Sequence, residues 1–260
     1  MELVVTRNFG NAESWTLESY RNAGGYQSLQ RVLRDMTPEE VSDLVKASGL
    51  SGRGGAFITT GLKWVFVRKD PTPPRYVVDN GDESEPGTYV NRHSLELDPH
   101  LMLEGMIIAA FACNAERGYV YIRGEYGLAH ERAQTAIQDA YDAGYLGSDI
   151  MGKSGFNFDV VFRRGAGAYI VGEETALFNS LEGKRGNPRF KPPFPTNVGV
   201  WGLPTAINNV ETLSAAPAII ENGADWFQGL GRGDTAGTKM YCLSGHVTKP
   251  GVHELPMGIT

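Results

Sequence analysis

Apolar residues recur at helical spacing in a stretch that begins after Thr37 and is typical of a surface helix. Thr37 can cap this helix, Pro38 suits its first position, and Glu40 completes a capping box. Gly49 fits the position just past the last turn. The sequence therefore predicts a helix that starts at Pro38 and has an apolar stripe of Val41, Leu44 and Val45.

The same reasoning predicts further helices along the chain. Asp98 and Pro99 open a long helix that ends near Gly118. An amphipathic helix runs from residue 128 to about residue 143, and another begins near Gly172.

Short apolar runs at residues 76–78, 119–123 and 160–162 predict strands. Because these strands alternate with helices, the pattern indicates an α/β fold with a largely parallel sheet. Ligands bind at the carboxyl ends of the strands in such sheets. The loops at residues 80–87 and 165–167 follow predicted strands and are therefore candidate binding segments.

The pattern divides the chain into three predicted parts. Residues 1–36 have weak periodicity and predict an irregular arm with a short helix. Residues 37–236 carry the α/β pattern, including an ordered loop rich in Pro and Gly at residues 183–202. A new β pattern starts at residue 237, so residues 237–260 are interpreted as the beginning of a second domain that stops after its first hairpin.

Composition excludes several classes of protein. A net charge of −6 argues against nucleic acid as the main partner. The start of the chain has no signal-peptide pattern, and the longest apolar stretch, near residues 106–113, is too short to span a bilayer. Cys113 and Cys242 have no metal-ligand spacing, and the histidines have none either. These features predict reduced thiols, a cytoplasmic protein and no metal site in this chain.

The segment at residues 52–57 contains three glycines that allow a backbone to approach a phosphate-bearing ligand, and Arg53 can meet the phosphate charge. The dinucleotide-binding pattern requires a further glycine where this chain has Phe57. A tight structural turn is therefore an equally open interpretation.

Three groups of acidic and amide residues can likewise be interpreted as structural or as ligand-binding. The carboxylates at residues 82–85 are interpreted as a solvated turn, a metal site, or acceptors for the hydroxyls or ring edge of a cofactor. Glu173 and Glu174 are stabilised by a helix N-terminus alone, or they bind a ligand. Asn208, with Glu211 three residues later, predicts a helix cap, and the same N-terminus is suited to a phosphate.

Five segments together resemble the flavoprotein subunits of respiratory complex I (the 51 kDa family of NADH-quinone oxidoreductase), and they occur in the family's order. They are residues 48–64, 80–88, 165–177, 187–195 and 208–212. The likeness covers nearly the whole chain. It implies a Rossmann-like FMN/NADH domain followed by the start of a β-grasp (SLBB-type) domain, in a family member cut short at its C-terminal side.

The resemblance also implies roles for individual residues. Those implied for FMN are Gly52, Arg53, Gly54, Lys63, Asn80, Asp82, Glu83, Gly165, Tyr169, Gly172, Glu173, Ile207, Asn208, Asn209 and Thr212. Those implied for NADH are Gly54, Gly55, Gly61, Phe66, Glu85, Glu174, Lys191 and Phe194. Beyond Glu85 and Glu174, which would position the cofactor, no catalytic side chain is expected because the hydride passes directly from NADH to FMN.

The chain departs from the family in the glycine loop. The family usually has Gly-Phe-Pro where this chain has Phe57, Ile58 and Thr59. The resemblance therefore implies that Phe57 crowds the approach of the cofactor and that Ile58 removes an aromatic ring that would help to stack adenine.

The implied function is that of an NADH dehydrogenase flavoprotein subunit, with FMN and NAD(H) as cofactors, at the entry of electrons to the respiratory chain. The family's cysteine motif for a [4Fe-4S] cluster lies far beyond residue 260. Implied partners are other hydrophilic-arm subunits, especially the 24 kDa-type [2Fe-2S] subunit, at the bacterial inner membrane and without direct insertion. The alternatives are a diaphorase subunit of NAD-linked formate dehydrogenase or hydrogenase, and a degenerate or fragmentary paralogue without enzyme activity.

Overall fold

The computed structural model describes residues 2–152 and 155–259. Its helices are α1 (Leu17–Asn22), α2 (Gln27–Asp35), α3 (Pro38–Ala47), α4 (Thr60–Lys69), α5 (Val90–Leu97), α6 (Pro99–Cys113), α7 (Gly127–Asp142), α8 (Glu174–Leu181), α9 (Val210–Asn222) and α10 (Ala224–Gly229). Its strands are β1 (Tyr76–Gly81), β2 (Arg117–Ile122), β3 (Asp159–Arg164), β4 (Thr205–Asn209), β5 (Thr238–Leu243) and β6 (Gly251–Pro256).

Strands β1 to β4 form one parallel sheet in the order β3-β2-β1-β4. The predicted α/β fold with a parallel sheet is therefore confirmed. Since all four strands run in the same direction, the loops that follow them meet at one edge of the sheet. The acidic loop follows β1, the Gly165 loop follows β3, and α9 begins directly after β4.

Helices cover both faces of this sheet. On one face, Val77, Val120 and Ala206 pack into the main core with α6, which is buried along its whole length. A Cβ added to Gly105 would lie 1.9 Å from the carbonyl oxygen of Leu213, so glycine permits the close approach of α6 to α9. The opposite face packs against α8, through Val78, Tyr119, Tyr121, Ile207, Leu177 and Phe178.

Both flanking segments pack on the central α/β part. Val4 and Val5 lie in the main core, as does Met240 of β5. The carboxylate of Glu254 in β6 accepts the backbone N–H groups of Val4 at 2.9 Å, Val5 at 3.1 Å and Thr6 at 2.8 Å. The three-part division at residues 36 and 236 stays a prediction, and its outer limits at residues 1 and 260 lie outside the described residues.

Several local predictions are confirmed. Thr37 caps α3, with Pro38 in the first turn and the reciprocal bonds of a capping box to Glu40. Helix α7 ends at Asp142, and Gly144 follows with a φ of 75°. The β pattern after residue 237 is an antiparallel hairpin of β5 and β6.

Other local predictions are wrong. Helix α6 ends at Cys113 and not near Gly118, because Asn114 takes the left-handed conformation (φ 53°) that terminates it. The cap of α9 is Asn209 and not Asn208, since pairing with β1 extends β4 as far as Asn209. The first 36 residues contain both α1 and α2, where a single short helix was predicted. The patterns also gave no sign of α4, α5 or β4.

No helix among residues 2–152 and 155–259 is long and apolar enough to cross a membrane.

Candidate functional site

Two cavities lie near the carboxyl edge of the parallel sheet. The first, the strand-end cavity, has a volume of about 460 Å³ and is lined by Arg53, Gly54, Gly55, Asn80, Asp82, Glu83, Ser84, Glu85, Thr88, Val90, Asn91, Tyr169, Ile170, Gly172, Glu173, Asn209 and Lys239. The second, the phenylalanine cavity, has a volume of about 570 Å³ and is lined by Ile58, Leu62, Lys63, Phe66, Lys69, Asp70, Pro71, Glu174, Phe194, Pro195, Thr196, Asn197 and Ile207. Most of the residues that the family resemblance singled out line one of these two cavities.

The acidic loop after β1 is built into the protein. Asp82 and Glu83 are less than a tenth exposed, so the interpretation of these two carboxylates as a solvated turn is wrong. Glu83 accepts the N–H groups of Asn91 at 3.0 Å and Arg92 at 3.1 Å and thereby caps α5. Burial raises the pKa of both carboxyl groups, although these backbone hydrogen bonds oppose the rise at Glu83. The loop therefore presents fixed polar atoms to the cavity.

The metal interpretation of this loop gains no support. In the described residues, no group of three or more His, Cys, Asp or Glu side chains is arranged to hold a metal ion.

The glycine loop crosses the N-terminus of α9. The backbone N–H of Arg53 donates to Thr212 Oγ1 at 2.8 Å, and a Cβ added to Gly54 would lie 3.3 Å from the Asn209 Cβ. Asn209 uses its own side chain to cap α9 by accepting the Glu211 N–H at 3.0 Å. The loop also precedes α4 without following a strand, so it differs from the strand–loop–helix context of the dinucleotide pattern.

Two cationic side chains line the strand-end cavity. The Arg53 guanidinium is nearly buried and donates to Ser51 Oγ at 2.8 Å and to the Ala236 carbonyl at 2.9 Å. Lys239, at the start of the β5–β6 hairpin, lies 3.5 Å from a carboxylate oxygen of Glu211. Together with the first turn of α9, these cations make that part of the cavity favourable for an anion such as a phosphate.

Glu173 and Glu174 lie where the two cavities approach each other, since each lines a different one. Glu173 caps α8 by accepting the N–H groups of Thr175 at 2.9 Å and Ala176 at 3.0 Å. Lys191 binds both acids, at 3.1 Å from Glu173 and 2.5 Å from Glu174. Burial lowers the pKa of Lys191, but the two carboxylates outweigh that effect and hold it above its usual value. Capping thus accounts for one oxygen of Glu173, whereas Glu174 faces the phenylalanine cavity.

The phenylalanine cavity has two aromatic side chains that remain half exposed. Phe66 of α4 is 51% exposed, and Phe194 of the proline-rich loop is 56% exposed. On its inner side, Lys63 Nζ donates to the Ile207 carbonyl at 2.6 Å. Burial lowers the pKa of Lys63, and Glu174 partly offsets this effect. An apolar cleft with a few fixed polar groups suits a flat ring that carries polar substituents.

Six of the predicted site residues line neither cavity: Gly52, Gly61, Gly165, Lys191, Asn208 and Thr212. Asn208 is buried beneath the sheet edge and accepts the Trp64 Nε1–H at 3.0 Å. A Cβ on Gly61 would lie 2.2 Å from the Lys46 backbone nitrogen, so this glycine permits the contact of α3 with α4. Gly165 donates its N–H to the Ile122 carbonyl at 2.7 Å. In this structure Asn208, Gly61 and Gly165 make contacts within the fold instead of lining a cavity.

Glu85 and Ile58 each line one of the two cavities, whereas Phe57 lies outside both. Glu85 is exposed and accepts the Tyr169 hydroxyl at 2.5 Å across the opening of the strand-end cavity. Ile58 lines the phenylalanine cavity. Phe57 takes a left-handed φ of 52°, which is unfavourable for a residue with a Cβ, and lines a separate groove beside Gly49 and Met257. The Phe57 side chain therefore does not enter either cavity.

Sequence reasoning missed several lining residues. Lys239 and Asn91 enter the strand-end cavity, and Asp70 and Asn197 enter the phenylalanine cavity. Lys239, Asp70 and Asn197 are brought there by contacts between distant segments, and Asn91 by the bond of its N–H to Glu83. No local spacing in the sequence marks these residues.

The family of the Nuo51 FMN-binding domain matches residues 45–218 of this chain. This range includes the glycine loop, all four strands of the parallel sheet and most of α9. The chain belongs to this family.

Other members of the family are similar over nearly the whole chain. An F-type subunit of NADH-quinone oxidoreductase in Rhizobium meliloti (strain 1021) is 52% identical over 259 residues, which is 100% of this chain and 61% of that protein. The corresponding subunit in Escherichia coli (strain K12) is 51% identical, over 94% of this chain and 55% of that protein. The chain thus spans about three fifths of the length of these relatives.

Among solved structures, an NAD⁺-reducing [NiFe]-hydrogenase in its H₂-reduced state is similar, with a TM-score of 0.82 and 35% identity. The match covers 99% of this chain and 42% of the hydrogenase chain. The α/β fold of this chain is therefore shared with at least one hydrogenase chain.

Proposed function

We propose that this chain binds FMN in the strand-end cavity and NADH in the phenylalanine cavity, and that a hydride passes from NADH to FMN between them. The observation that carries the proposal is the position of Glu173 and Glu174, which are adjacent in sequence and each line one of the two cavities. Membership of the Nuo51 FMN-binding domain family supports the choice of FMN.

The strand-end cavity fits FMN in size and in the chemistry of its lining. Its volume of about 460 Å³ lies in the range of cofactor sites. Asn80 and Asp82 offer polar atoms to the flavin ring or ribityl hydroxyls. Arg53, Lys239 and the first turn of α9 would hold the phosphate. Gly172 leaves little room beneath it, since a Cβ there would lie 3.0 Å from the Asp82 carbonyl oxygen.

The phenylalanine cavity fits the adenosine half of NADH. Phe66 and Phe194 present exposed rings to a flat base, and stacking of a base on an aromatic ring contributes roughly 1–3 kcal/mol. Glu174 would accept ribose hydroxyls, and Lys191 would meet pyrophosphate charge. The nicotinamide would then extend past Glu174 towards Glu85 and Tyr169.

The residues where the two cavities approach each other orient the two cofactor rings and shield them from water, and they exchange no protons with them. FMN, when bound, accepts two electrons as a hydride and can return them one at a time. The protein brings the two rings together and excludes water, and positioning of this kind contributes a large part of the rate in such reactions. The fixed pairs Lys191–Glu173 and Lys191–Glu174 hold that junction in one arrangement.

In its full biological setting, we propose that this module belongs to an NADH-quinone oxidoreductase and passes electrons to the other subunits of that complex, including a 24 kDa-type [2Fe-2S] subunit. The names of its relatives support this assignment, and identity of about 50% supports it over the hydrogenase alternative at 35%. We also propose that β5 and β6 begin a β-grasp domain and that the complex lies at the cytoplasmic side of a bacterial inner membrane. A diaphorase module of an NAD-linked hydrogenase is the second candidate, favoured by the shared fold.

The proposal is tested by reconstituting the chain with FMN and recording its visible absorbance before and after anaerobic addition of NADH. Loss of the oxidised flavin spectrum on addition of stoichiometric NADH is the expected result. Flavin that binds but is not bleached by NADH contradicts hydride transfer, and failure to retain FMN contradicts the proposal as a whole. Lys239→Met and Lys249→Met form a matched pair of variants for the test of FMN binding, because Lys239 lines the strand-end cavity and Lys249 does not.

Replacement of Ile58 by Phe is expected to tighten NADH binding about threefold to tenfold, because an aromatic ring would join Phe66 and Phe194 around the base. The measurement is the NADH concentration that gives half-maximal flavin reduction. Leu62→Phe, a substitution of similar size at a position that also lines the cavity, controls for bulk alone. Equal effects of the two substitutions, or no effect of Ile58→Phe, would contradict a stacking role.

A further inference from the structure

The two aromatic walls of the phenylalanine cavity belong to segments that are distant in the sequence. Phe66 lies in α4, and Phe194 lies in the proline-rich loop that precedes β4. The loop is fixed on its inner side, where Arg189 binds Glu182 at 2.7 Å and the Pro195 carbonyl accepts the Thr205 N–H at 2.9 Å. The separation of the two rings therefore depends on what joins the loop to α4 at the outer end of the cavity.

One side-chain hydrogen bond makes that connection. Asn197 Nδ2 donates to Asp70 Oδ2 at 3.0 Å. In the described parts of the chain, 2–152 and 155–259, it is the one hydrogen bond between residues 59–70 and the loop at 183–199. Both residues line the cavity. The hydrogen bonds from Thr72 and Asn197 hold the pKa of Asp70 below its usual range, so the acceptor is ionised at neutral pH.

The contact is linked to both rings through the backbone. On one side, the Asp70 N–H donates to the Phe66 carbonyl at 3.2 Å at the end of α4. On the other side, the Asn197 N–H donates to the Phe194 carbonyl at 3.0 Å in a turn. A short series of hydrogen bonds thus runs from one phenylalanine to the other across the cavity.

We propose that the Asp70–Asn197 hydrogen bond is a positioning contact that sets the gap between Phe66 and Phe194 and thereby the affinity of the site for an adenosine-bearing nucleotide. This inference rests on the proposed function, because it assigns adenine to the phenylalanine cavity. Neither Asp70 nor Asn197 is placed near the reacting atoms. Their effect is on the binding of the adenosine half and not on hydride transfer.

The sharpest test reverses the hydrogen bond. Asn197→Asp places two carboxylates opposite each other, and we expect the NADH concentration for half-maximal flavin reduction to rise about five- to tenfold. Asp70→Asn combined with Asn197→Asp restores a donor and an acceptor, and the new amide oxygen can still accept the Thr72 N–H that Asp70 accepts at 2.9 Å. The paired variant is therefore expected to return to within about twofold of the unmodified chain.

Two controls separate positioning from charge and from general disturbance. Asn187→Asp adds the same charge to an exposed position of the same loop, away from Asp70, and is expected to change the NADH dependence by less than about twofold. Reduced nicotinamide mononucleotide lacks the adenylate, so Asn197→Asp is expected to shift its concentration dependence by less than about twofold. Asn197→Ala, which removes the donor without adding charge, is expected to raise the NADH requirement about threefold.

Calorimetric titration with ADP-ribose gives a readout that is independent of hydride transfer. The inference is overturned if Asn197→Asp leaves the affinities for NADH and ADP-ribose unchanged, if reduced nicotinamide mononucleotide is affected as strongly as NADH, or if the paired variant fails to recover. It is also overturned if the unmodified chain does not bind ADP-ribose. If that chain binds ADP-ribose but NADH does not bleach its flavin, the proposed hydride transfer fails and the contact is judged on ADP-ribose affinity alone.

Discussion

Replacement of Glu254 by Ala is expected to lower the free energy of unfolding by about 4 kcal/mol. This carboxylate is 4% exposed and accepts three consecutive backbone N–H groups, from Val4, Val5 and Thr6, as well as the hydroxyls of Thr6 and Thr238. Alanine would leave these donors buried without acceptors, and each such group costs about 1–3 kcal/mol. The loss is expected to be partial because the segment can loosen and admit water.

Urea unfolding measures the change, and hydrogen exchange at the Val5 and Thr6 amides locates it. Glu116→Ala, at an exposed position where the carboxylate has no hydrogen-bond partner among the described residues, is the matched control and is expected to change stability by less than about 0.5 kcal/mol. If Glu254→Ala were as stable as the control, or if the two amides kept their protection, the carboxylate would not be what fixes the first segment. Lys239 follows Thr238 directly, so weaker FMN binding is an expected secondary effect.

Replacement of Asp79 by Asn is expected to raise the stability of the protein at neutral pH by up to about 4 kcal/mol. Asp79 is fully buried in β1, and neither of its carboxylate oxygens has a hydrogen-bond partner in the described residues. The neighbouring strand β4 places Asn208 in register with Asp79, and the buried Asn208 Nδ2 group likewise has no acceptor among residues 2–152 and 155–259. Burial holds the pKa of Asp79 well above its usual value, and no ion pair or hydrogen bond from the described part of the chain offsets this effect.

The effect has a defined dependence on pH. Since the folded state keeps a proton that the unfolded chain releases above a pH of about 4, stability falls as pH rises from there towards the folded pKa. The slope over that interval is about 1.4 kcal/mol per pH unit. The advantage of Asp79→Asn is therefore expected to be small at pH 4, to grow with pH, and to level off once Asp79 ionises in the folded state.

Urea titrations at several pH values test this expectation. Asp43→Asn removes the same charge from an exposed position of α3 and is expected to leave both stability and its pH dependence nearly unchanged. A gain for Asp79→Asn that is equal at pH 4.5 and pH 7.5 would show that ionisation of this group is not the cause.

The sequence was sufficient to predict the helix starts and ends whose signals lie within one helical turn. The capping box at Thr37 and Glu40 and the glycine after α7 are examples, because each is satisfied by the element's own backbone. The end of α6 was predicted five residues too late, since an asparagine that adopts a left-handed conformation is harder to recognise than a glycine. Strand β4 was missed because its short apolar run is identified only by pairing with β1.

The residues of the candidate site show the same difference between local signals and long-range contacts. Asn80 lies at the end of a strand, Asp82 follows that strand and Glu174 begins a helix, so the sequence pattern together with the family resemblance could place them. Lys239, Asp70 and Asn197 reach the cavities through contacts across the fold, and nothing in their own neighbourhood marks them. Asn208 and Thr212 fit the family motif, but the packing of β4 and α9 turns them to the interior.

The bond between Glu254 and the first segment spans 250 residues of sequence. At a translation rate of 5–20 residues per second, Val4 would leave the ribosome roughly 10 to 50 seconds before its acceptor is synthesised. During that interval the amides of residues 4–6 lack the carboxylate that accepts their hydrogen bonds in the folded protein. A nascent chain that has not yet reached Glu254 is therefore expected to keep this segment open to chaperones and proteases after the parallel sheet has formed.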